Sequence, residues 1–304
     1  MALYNIIGDI HGRTCWKDLV REDCINIFVG DYVSPYHDIS FNTMSKTFNE
    51  ILDYKKKHPK TVLLWGNHDS ETFVGETYSR HDYFHSKAIN QMLTENNHLF
   101  NIAYAIDNDV LVTHAGLSDQ WYFKRRYGVL VHRLTDYDVP TISDAYKAFY
   151  KEYSKPNYEY VPFEGLEYSE KELENMRIKR AEVEERLKTE VEHPLKNTLF
   201  LWKNTYYFYD AQADTYTEIK FDLKDMANFI NELWANKKYG YFSFESNANY
   251  YDTYGESLTH GPLWIRPHSL REANIFKGTD IWQVVGHTMQ EKGVSVENTS
   301  NRRS

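Results

Sequence analysis

Metal-ligating side chains stand directly after an apolar run at the start of the chain. Gly8-Asp9-Ile10-His11-Gly12 follows the run LYNII at residues 3–7. In an extended chain, residues two apart project to the same side, so Asp9 and His11 can face one metal ion. The flanking glycines allow a sharp exit from a strand and leave room for a ligand. The motif therefore predicts a metal site at the end of the first strand.

The same construction recurs four more times along the chain. Apolar runs at residues 25–29, 61–65, 110–112 and 281–285 end in Gly30-Asp31, Gly66-Asn67-His68-Asp69, Thr113-His114-Ala115-Gly116 and Gly286-His287-Thr288. Nearly continuous apolar strands separated by helical patterns are typical of a layered α/β fold, in which ligands gather at the carboxyl ends of the strands. The five runs together predict one site assembled from five strand ends.

The elements between these runs show helical periodicity. Residues 13–22 can form a short helix that returns the chain to the sheet. Ser40 stands where an N-cap would, and an apolar stripe follows it until Pro59. A further helix is predicted over residues 88–93. The stripe after Ser40 is interpreted as core packing and not as a site.

The pattern of strand and ligand stops between residues 117 and 258. A capping box at Ser169-Glu170-Lys171-Glu172 predicts a helix that ends near Pro194, and a second helix begins at Asp222. Residues 198–209 and 215–221 are typical of a strand pair. Because this stretch has its own apolar faces to bury, we expect a mainly helical, tyrosine-rich lobe inserted between core segments at 1–116 and 259–304, the latter ending in a polar tail.

The tyrosines of this lobe have two interpretations. They could stack on a nucleotide base or a partner, although ordinary packing is the favoured one. The residues concerned are Tyr206, Tyr207, Tyr209, Tyr250, Tyr251 and Tyr254.

Composition excludes several classes of protein. A formal net charge of −9 over 304 residues argues against a general nucleic-acid or membrane-surface binder. Cys15 and Cys24 have no metal-binding spacing, which predicts free thiols in a reducing compartment. The amino terminus lacks a signal pattern, and no apolar stretch has the length of a membrane span. We expect a cytoplasmic protein.

Arg266 lies in Gly261-Pro262-Leu263-Trp264-Ile265-Arg266-Pro267, where the chain rejoins the core. An arginine held by an aromatic residue and a proline could clamp a phosphate, because guanidinium matches phosphate oxygens in a bidentate manner. Considered alone, such an arginine is more often a surface salt-bridge residue.

Taken in order, the motifs G-D-I-H-G, G-D-Y-V, G-N-H-D, T-H-A-G, W-I-R-P and G-H-T resemble those of the calcineurin-like metallophosphoesterases. The likeness is greatest to the bacterial and bacteriophage phosphoprotein phosphatases and to the diadenosine-tetraphosphatases. It covers the first 116 residues and residues 261–288. It implies a four-layer α/β/β/α sandwich with the lobe as a large insertion.

The resemblance also implies a dinuclear metal centre, with Mn²⁺ favoured and Fe, Zn²⁺ or Ni²⁺ as alternatives. Asp9 and His11 would hold one metal, and Asp31 would bridge both. The second metal would be held by Asn67, His114 and His287. His68 resembles the family's general acid, and Arg266 and Asn67 its phosphate-binding residues.

The function implied is hydrolysis of phosphomonoesters by in-line attack of a metal-bridging hydroxide, on a phosphoprotein or a nucleotide. A Ser/Thr phosphoprotein phosphatase is the leading form of this hypothesis. A phosphodiesterase or a dinucleoside-polyphosphate hydrolase is the alternative within the enzyme class. A metal-free scaffold is the alternative outside the enzyme class. A scaffold is expected to have lost metal ligands, whereas this chain retains a competent residue at all six positions.

Two departures from the family pattern qualify this hypothesis. Where the family reads G-D-x-V-D-R-G, this chain has Ser34 and Pro35 in place of an aspartate that orients the catalytic histidine and an arginine that binds phosphate. Arg80, Arg125 and Arg126 are candidates to replace that arginine. After G-H-T, only residues 293–297 could form a further strand, which suggests a truncated carboxyl end.

Overall fold

A computed structural model of the chain describes residues 2–35, 38–134, 139–153, 169–171, 174, 177, 197–244 and 257–288. The chain divides into two units. Unit 1 contains residues 1–128 and 221–304, and unit 2 contains residues 129–220.

Three parallel strands form the first sheet of unit 1. They are β1 (Leu3–Ile7), β2 (Cys24–Phe28) and β3 (Val62–Leu63), with β2 in the middle. Helix α1 (Trp16–Leu19) connects the first pair, and α2 (Phe41–Lys57) connects the second. The N-cap Ser40 accepts a hydrogen bond from the Thr43 amide through its side chain, which confirms the predicted start of α2.

A second sheet of three strands contains β4 (Ala103–Ile106), β5 (Val110–Thr113) and the last strand β10 (Trp282–Val284). Strand β5 lies in the middle, parallel to β10 and antiparallel to β4. The strands predicted from residues 110–112 and 281–285 are confirmed. Strand β4 is joined to β5 by the short turn at residues 107–109 and is absent from the sequence prediction.

The two sheets pack face to face through apolar side chains. Ile27, Val62 and Leu64 from the first sheet share a buried cluster with Val112 from the second. Helix α2 covers the first sheet, and its Tyr54 hydroxyl accepts from the Asn26 side chain. Helix α7 (Leu223–Ala235) covers the second sheet. There its residue Asn231 accepts from the Ala103 amide and donates to the Ala103 carbonyl. The predicted α/β/β/α order is confirmed.

The remaining helices of unit 1 follow the strands. They are α3 (Asn67–Val74), α4 (Ser86–Asn96), α5 (Asp119–Tyr127) and α8 (Pro267–Ala273). Single turns of 3₁₀-helix lie at Asn97–Leu99 and Tyr239–Phe242. In the described part of the chain, no helix combines the length and the apolarity needed to span a membrane.

Unit 2 contains a four-stranded sheet and helix α6 (Ile142–Tyr153). Its strands are β6 (Val131–Arg133), β7 (Thr198–Trp202), β8 (Thr205–Asp210) and β9 (Thr215–Glu218), in that order. Of the two segments predicted as a strand pair, residues 198–209 form the hairpin of β7 and β8, and residues 215–221 contain β9. Tyr206 and Tyr209 are buried, which agrees with the packing interpretation, whereas Tyr250, Tyr251 and Tyr254 lie outside the described residues.

The predicted lobe at 117–258 is wider than unit 2. Helix α7 begins after Asp222 as expected, and the Asp222 side chain accepts from the amides of Lys224 and Asp225. However, α5 and α7 both belong to unit 1. Most of the helix predicted at 169–194 lies outside the described residues, as do residues 293–297 and the polar tail. The mainly helical character of the lobe therefore stays a prediction.

Candidate metal centre

The residues predicted as ligands lie just after the carboxyl ends of five strands. Asp9 follows β1, Asp31 follows β2, Asn67 begins α3 after β3, His114 follows β5, and His287 follows β10. Parallel strands present their carboxyl ends at the same edge of a sheet. The sequential strand-and-ligand pattern therefore becomes a spatial cluster.

The first group of ligand atoms contains Asp9, His11 and Asp31. One ligand atom from each residue lies within 4.8 Å of the other two. His11 Nδ1 lies 3.1 Å from the carbonyl oxygens of both Val33 and Ser34, to which it can donate. This contact fixes the tautomer and leaves the lone pair of Nε2, 3.6 Å from Asp31 Oδ2, to face a ligand.

The second group contains Asn67, His114 and His287. Asn67 Oδ1 lies 3.0 Å from His114 Nε2 and 3.0 Å from His287 Nδ1, and these two nitrogens are 3.1 Å apart. His114 Nδ1 donates to the Val29 carbonyl at 2.8 Å, so its Nε2 carries a lone pair. Asn67 Oδ1, His114 Nε2 and His287 Nδ1 thus form a compact group of three possible ligand atoms.

Asp31 lies between the two groups. Its Oδ2 is 3.6 Å from His11 Nε2 and 3.6 Å from His114 Nε2. Its Oδ1 accepts a hydrogen bond of 2.9 Å from the His68 amide, which anchors the carboxylate. One carboxylate oxygen is therefore held by the backbone while the other faces both groups.

The electrostatics of the cluster favour a cation. Burial, with a contribution from the Arg80 charge, lowers the pKa of His11 to about 4, and burial and then His114 lower the pKa of His287 well below its usual value. Burial raises the pKa of the Asp31 carboxyl. Neutral imidazoles are the form that binds metal, and a buried carboxylate needs a compensating charge. The donor set fits divalent ions such as Mn²⁺, Fe²⁺ or Zn²⁺.

Asp69 ties the loops that carry the ligands to each other. Its Oδ1 accepts from the amides of Tyr32 and Val33 at 2.8 and 3.2 Å, and its Oδ2 accepts from the Gly66 amide at 3.0 Å. Burial raises the pKa of this carboxyl to about 6. One signal in the sequence indicated that Asp69 could connect these loops, which is its position two residues after Asn67 in a ligand motif.

The cluster lies in a cleft of about 880 Å³ within unit 1. Beside Asp9, His11, Asp31, Asn67 and His287, the cleft is lined by His68, Arg80, Arg266, Tyr78, Phe244 and Trp264. The Tyr78 and Trp264 rings meet edge to face at 4.4 Å, and Phe244 meets Trp264 at 5.1 Å. The cleft therefore combines a ligand cluster, two arginines and an aromatic wall formed by Tyr78, Phe244 and Trp264.

His68 and two arginines face this cleft beside the ligands. His68 Nε2 lies 3.1 Å from Arg80 Nη2, and because a guanidinium can only donate, this nitrogen accepts. Arg266 precedes α8, and burial lowers the pKa of its guanidinium while the Asp31 carboxylate raises it. His68 thus lines the cleft.

Of the three arginines considered as replacements at Pro35, Arg80 is the one at the cleft. Arg125 lies over the Tyr241 ring at 4.4 Å, and Arg126 pairs with Asp225 at 2.9 Å. Neither belongs to the described residues that line the cleft.

A protein-family model described as calcineurin-like phosphoesterase matches residues 4–180. That match spans more than half of the chain. The chain is a calcineurin-like phosphoesterase. The family that the motifs resemble is therefore confirmed.

The other comparisons are more distant. No curated protein matches the chain. A solved protein serine/threonine phosphatase of Saccharomyces cerevisiae, described as having similarity to human phosphatase PP5, is 26% identical over 38% of this chain, with a TM-score of 0.28. The chain spans 38% of the length of that structure. The family assignment rests on the matched sequence region.

Proposed function

We propose that this calcineurin-like phosphoesterase hydrolyses phosphomonoesters. One observation carries the proposal, namely that the Asp31 carboxylate faces two ligand groups in a cleft that is also lined by His68, Arg80 and Arg266. A dinuclear ligand set beside fixed positive charge suits a tetrahedral anion.

The proposal assigns the ligands to two ions. Asp9, His11 and Asp31 would hold one ion, and the second would be held by Asp31, Asn67, His114 and His287. When bound, two divalent ions lower the pKa of water and offset negative charge on a phosphoryl group. We propose Mn²⁺, because carboxylate, amide oxygen and imidazole suit it.

The chain's own residues bind and protonate the substrate. Arg266 and Arg80 line the cleft and would bind phosphoryl oxygens through guanidinium forks. A bound phosphoryl group offers Arg80 an anionic acceptor in place of His68 Nε2. His68 can then carry a proton on Nε2 and donate it to the leaving oxygen.

The test of this assignment is His68→Asn on two classes of substrate. A proton donor matters most when the leaving oxygen is strongly basic, as in an alkyl or seryl phosphate, and least for nitrophenyl phosphate. We expect the variant to retain its metals and to lose roughly 10²–10⁴-fold more activity on alkyl phosphates. Equal losses on both substrates with normal metal content would reject the general-acid role, and loss of metal would make His68 a ligand.

One observation favours a second candidate, a phosphodiesterase or dinucleoside-polyphosphate hydrolase. The aromatic wall of Tyr78, Phe244 and Trp264 adjoins Arg266 in a cleft of about 880 Å³, which exceeds the volume of a phosphate group. Such rings can stack on a nucleotide base. Turnover of a phosphopeptide, an aryl phosphodiester and a dinucleoside polyphosphate, measured side by side on metal-loaded protein, decides between the two. Metal-loaded protein that is inactive on all three would favour the scaffold alternative.

A further inference from the structure

Glu71 is a buried carboxylate on the same face of α3 as His68, one turn later. It is 8% exposed. Its Oε1 accepts from the Tyr78 amide at 3.1 Å and lies 3.7 Å from His68 Nδ1. Its Oε2 contacts His81 Nδ1. Carboxylates are almost never buried unless they are paired, so these contacts account for the position of Glu71.

His68 Nδ1 is a buried polar atom without a hydrogen-bond partner among the described residues. Buried polar atoms are nearly always paired, and each exception needs an explanation. At 3.7 Å, the Glu71 carboxylate is beyond hydrogen-bond range but within reach of a small rotation of the imidazole. Catalytic hydrogen bonds are often long in a ligand-free protein and shorten when substrate binds.

We infer that Glu71 is the positioning residue for His68, an inference that rests on the proposed proton donation by His68. With Nδ1 directed at Glu71, the opposite nitrogen Nε2 faces Arg80 and the cleft. The His11 ring lies edge to face with the imidazole at 5.5 Å and further limits its rotation. Glu71 therefore selects the orientation in which His68 can reach a leaving oxygen.

The same carboxylate holds the loop that carries Arg80. Tyr78 and His81, its two contacts in this loop, are placed on either side of Arg80 in the sequence. Arg80 itself has positive φ of 67°, a backbone conformation that needs support from its surroundings. Glu71 thus positions the proposed proton donor and a proposed phosphate-binding residue from one point on α3.

Ser34 has a different task in this chain. Its carbonyl oxygen lies 3.1 Å from His11 Nδ1, so the Ser34 backbone orients a metal-binding histidine. The anchor for His68 comes instead from its own helix. This arrangement explains how the chain keeps a fixed imidazole although the loop after β2 has no carboxylate at residue 34.

The inference is tested with Glu71→Ala and Glu71→Gln in the full, metal-loaded chain. Alanine removes the acceptor, and we expect kcat on an alkyl phosphate to fall roughly 10–100-fold more than kcat on nitrophenyl phosphate. Glutamine keeps an acceptor oxygen in the same place, so the differential should be largely restored. Glu76→Gln is the matched control, because Glu76 accepts from Phe244 at 2.9 Å and from Tyr78 in the same loop. Glu76→Gln should change kcat by the same factor on the alkyl phosphate and on nitrophenyl phosphate.

A second readout does not depend on turnover. ¹⁵N imidazole spectra of the full chain loaded with Zn²⁺, with the His68 signals assigned by their loss in His68→Asn, report the protonated nitrogen of the ring. We expect Glu71→Ala to change the His68 pattern and Glu76→Gln to leave it unchanged. An unchanged pattern in both Glu71 variants, with an unchanged substrate ratio, would overturn the inference.

This design separates two kinds of failure. If the wild-type chain is inactive on every phosphoester although it binds metal, the proposed function fails, and the imidazole spectra still decide whether Glu71 orients His68. If Glu71→Ala does not fold, Glu71→Leu carries the test, because leucine fills more of the space of glutamate and has no acceptor oxygen. A changed His68 pattern in Glu71→Leu would then support the inference, and an unchanged pattern together with an unchanged substrate ratio would reject it.

Discussion

Asp31 faces both halves of the candidate centre with a single carboxylate. Its φ of 52° turns the chain three residues after the end of β2, and its side chain is almost completely buried. Asp31 Oδ2 lies at equal distances of 3.6 Å from His11 Nε2 and His114 Nε2. A change at this residue therefore acts on both groups at once.

We expect Asp31→Asn to lower both metal content and turnover. The amide removes a negative charge that would compensate two cations, and it presents either a neutral oxygen or a donor to them. Mutation of a residue that hydrogen-bonds to a metal ligand typically lowers metal affinity roughly 10–100-fold. The loss should be larger here, because Asp31 is itself a proposed ligand. Elemental analysis measures the metal content, and steady-state kinetics measures the turnover. Asp53→Asn on the exposed side of α2 is the control. Two metals per chain at near-normal turnover would contradict the bridging assignment.

Arg266 is expected to bind phosphoryl oxygens before and during reaction. Arg266→Ala should therefore weaken inhibition by inorganic phosphate and slow turnover, with a cost of about 2–5 kcal/mol if the partner charge is desolvated. Arg266→Lys should restore only part of this, since lysine lacks the planar fork. Arg126→Ala is the matched control, because Arg126 pairs with Asp225 outside the cleft lining. Unchanged phosphate inhibition in Arg266→Ala would reject the role.

At the scale of elements, the ends of neighbouring strands approach each other closely at glycines. A Cβ built on Gly30 would lie 2.4 Å from the Gly66 amide nitrogen, and one on Gly66 would lie 2.2 Å from Asp31 Oδ1. Such distances are too short for a side chain. The loops after β2 and β3 can therefore meet because each has a glycine at the point of contact.

This contact predicts opposite outcomes for two glycine substitutions. Gly66 has φ of −100°, so alanine there meets no backbone strain and would act only by displacing Asp31. Gly66→Ala should lower metal content and activity. Gly8→Ala, where a Cβ would meet nothing within 4 Å, should retain both. Metal analysis and circular dichroism on both proteins provide the check, and equal metal content in the two would contradict the role of this close approach.

The sequence predicts the elements whose signals are local. Strand runs followed by ligand groups, the Ser40 N-cap of α2 and the Asp222 N-cap of α7 all depend on residues close together in the chain. Within each sheet, the gathering of the ligand-bearing strand ends follows from their parallel order. These features required only periodicity, capping and topology.

Features that depend on distant contacts are not available from the sequence. Nothing local separates Arg80 from Arg125 and Arg126, since its selection depends on how the loop after α3 lies against the cleft. Glu71 is one acidic residue among many until its contacts with His68 and His81 are known. The assignment of α7 to unit 1 likewise depends on its packing against β4, which lies more than 100 residues earlier.

At the scale of the whole molecule, every residue proposed as a metal ligand, proton donor or phosphate-binding residue belongs to unit 1. All described residues that line the cleft belong to unit 1. We therefore propose that unit 2 contributes to substrate selection and takes no part in the chemical step. The half-buried Tyr207, on the second strand of the hairpin, is a residue through which this can be tested.

Tyr207→Ser should raise KM for a phosphoprotein and leave kcat on nitrophenyl phosphate within about twofold, because a change in binding outside the reacting atoms affects KM alone. Lys203→Ala, on the exposed turn between β7 and β8, is the control. A large loss on the small substrate by a variant that is still folded would count against selection by unit 2.

Bound metal should also stabilise unit 1 as a whole, because its ligands come from both sheets. Asp9, Asp31 and Asn67 follow strands of the first sheet, whereas His114 and His287 follow strands of the second. Ions held between the two sheets would bind the folded chain but not the unfolded chain. Such selective binding contributes about 2.7 kcal/mol at a metal concentration of 100 times Kd.

Removal of metal by a chelator should therefore lower the Tm of the wild-type chain by roughly 5–10 °C, given about 2–4 °C per kcal/mol for a unit of this size. Readdition of Mn²⁺ should restore the Tm. In Asp31→Asn the chelator should have little effect, because the carboxylate that faces both groups is missing, while Asp53→Asn should respond like the wild type. A wild-type Tm that stays unchanged after the metal has been removed, as verified by elemental analysis, would contradict a centre that links the two sheets. The ligands would then have to be held in place by Asp69 and the glycine contacts alone, and metal loss would reduce activity without reducing stability.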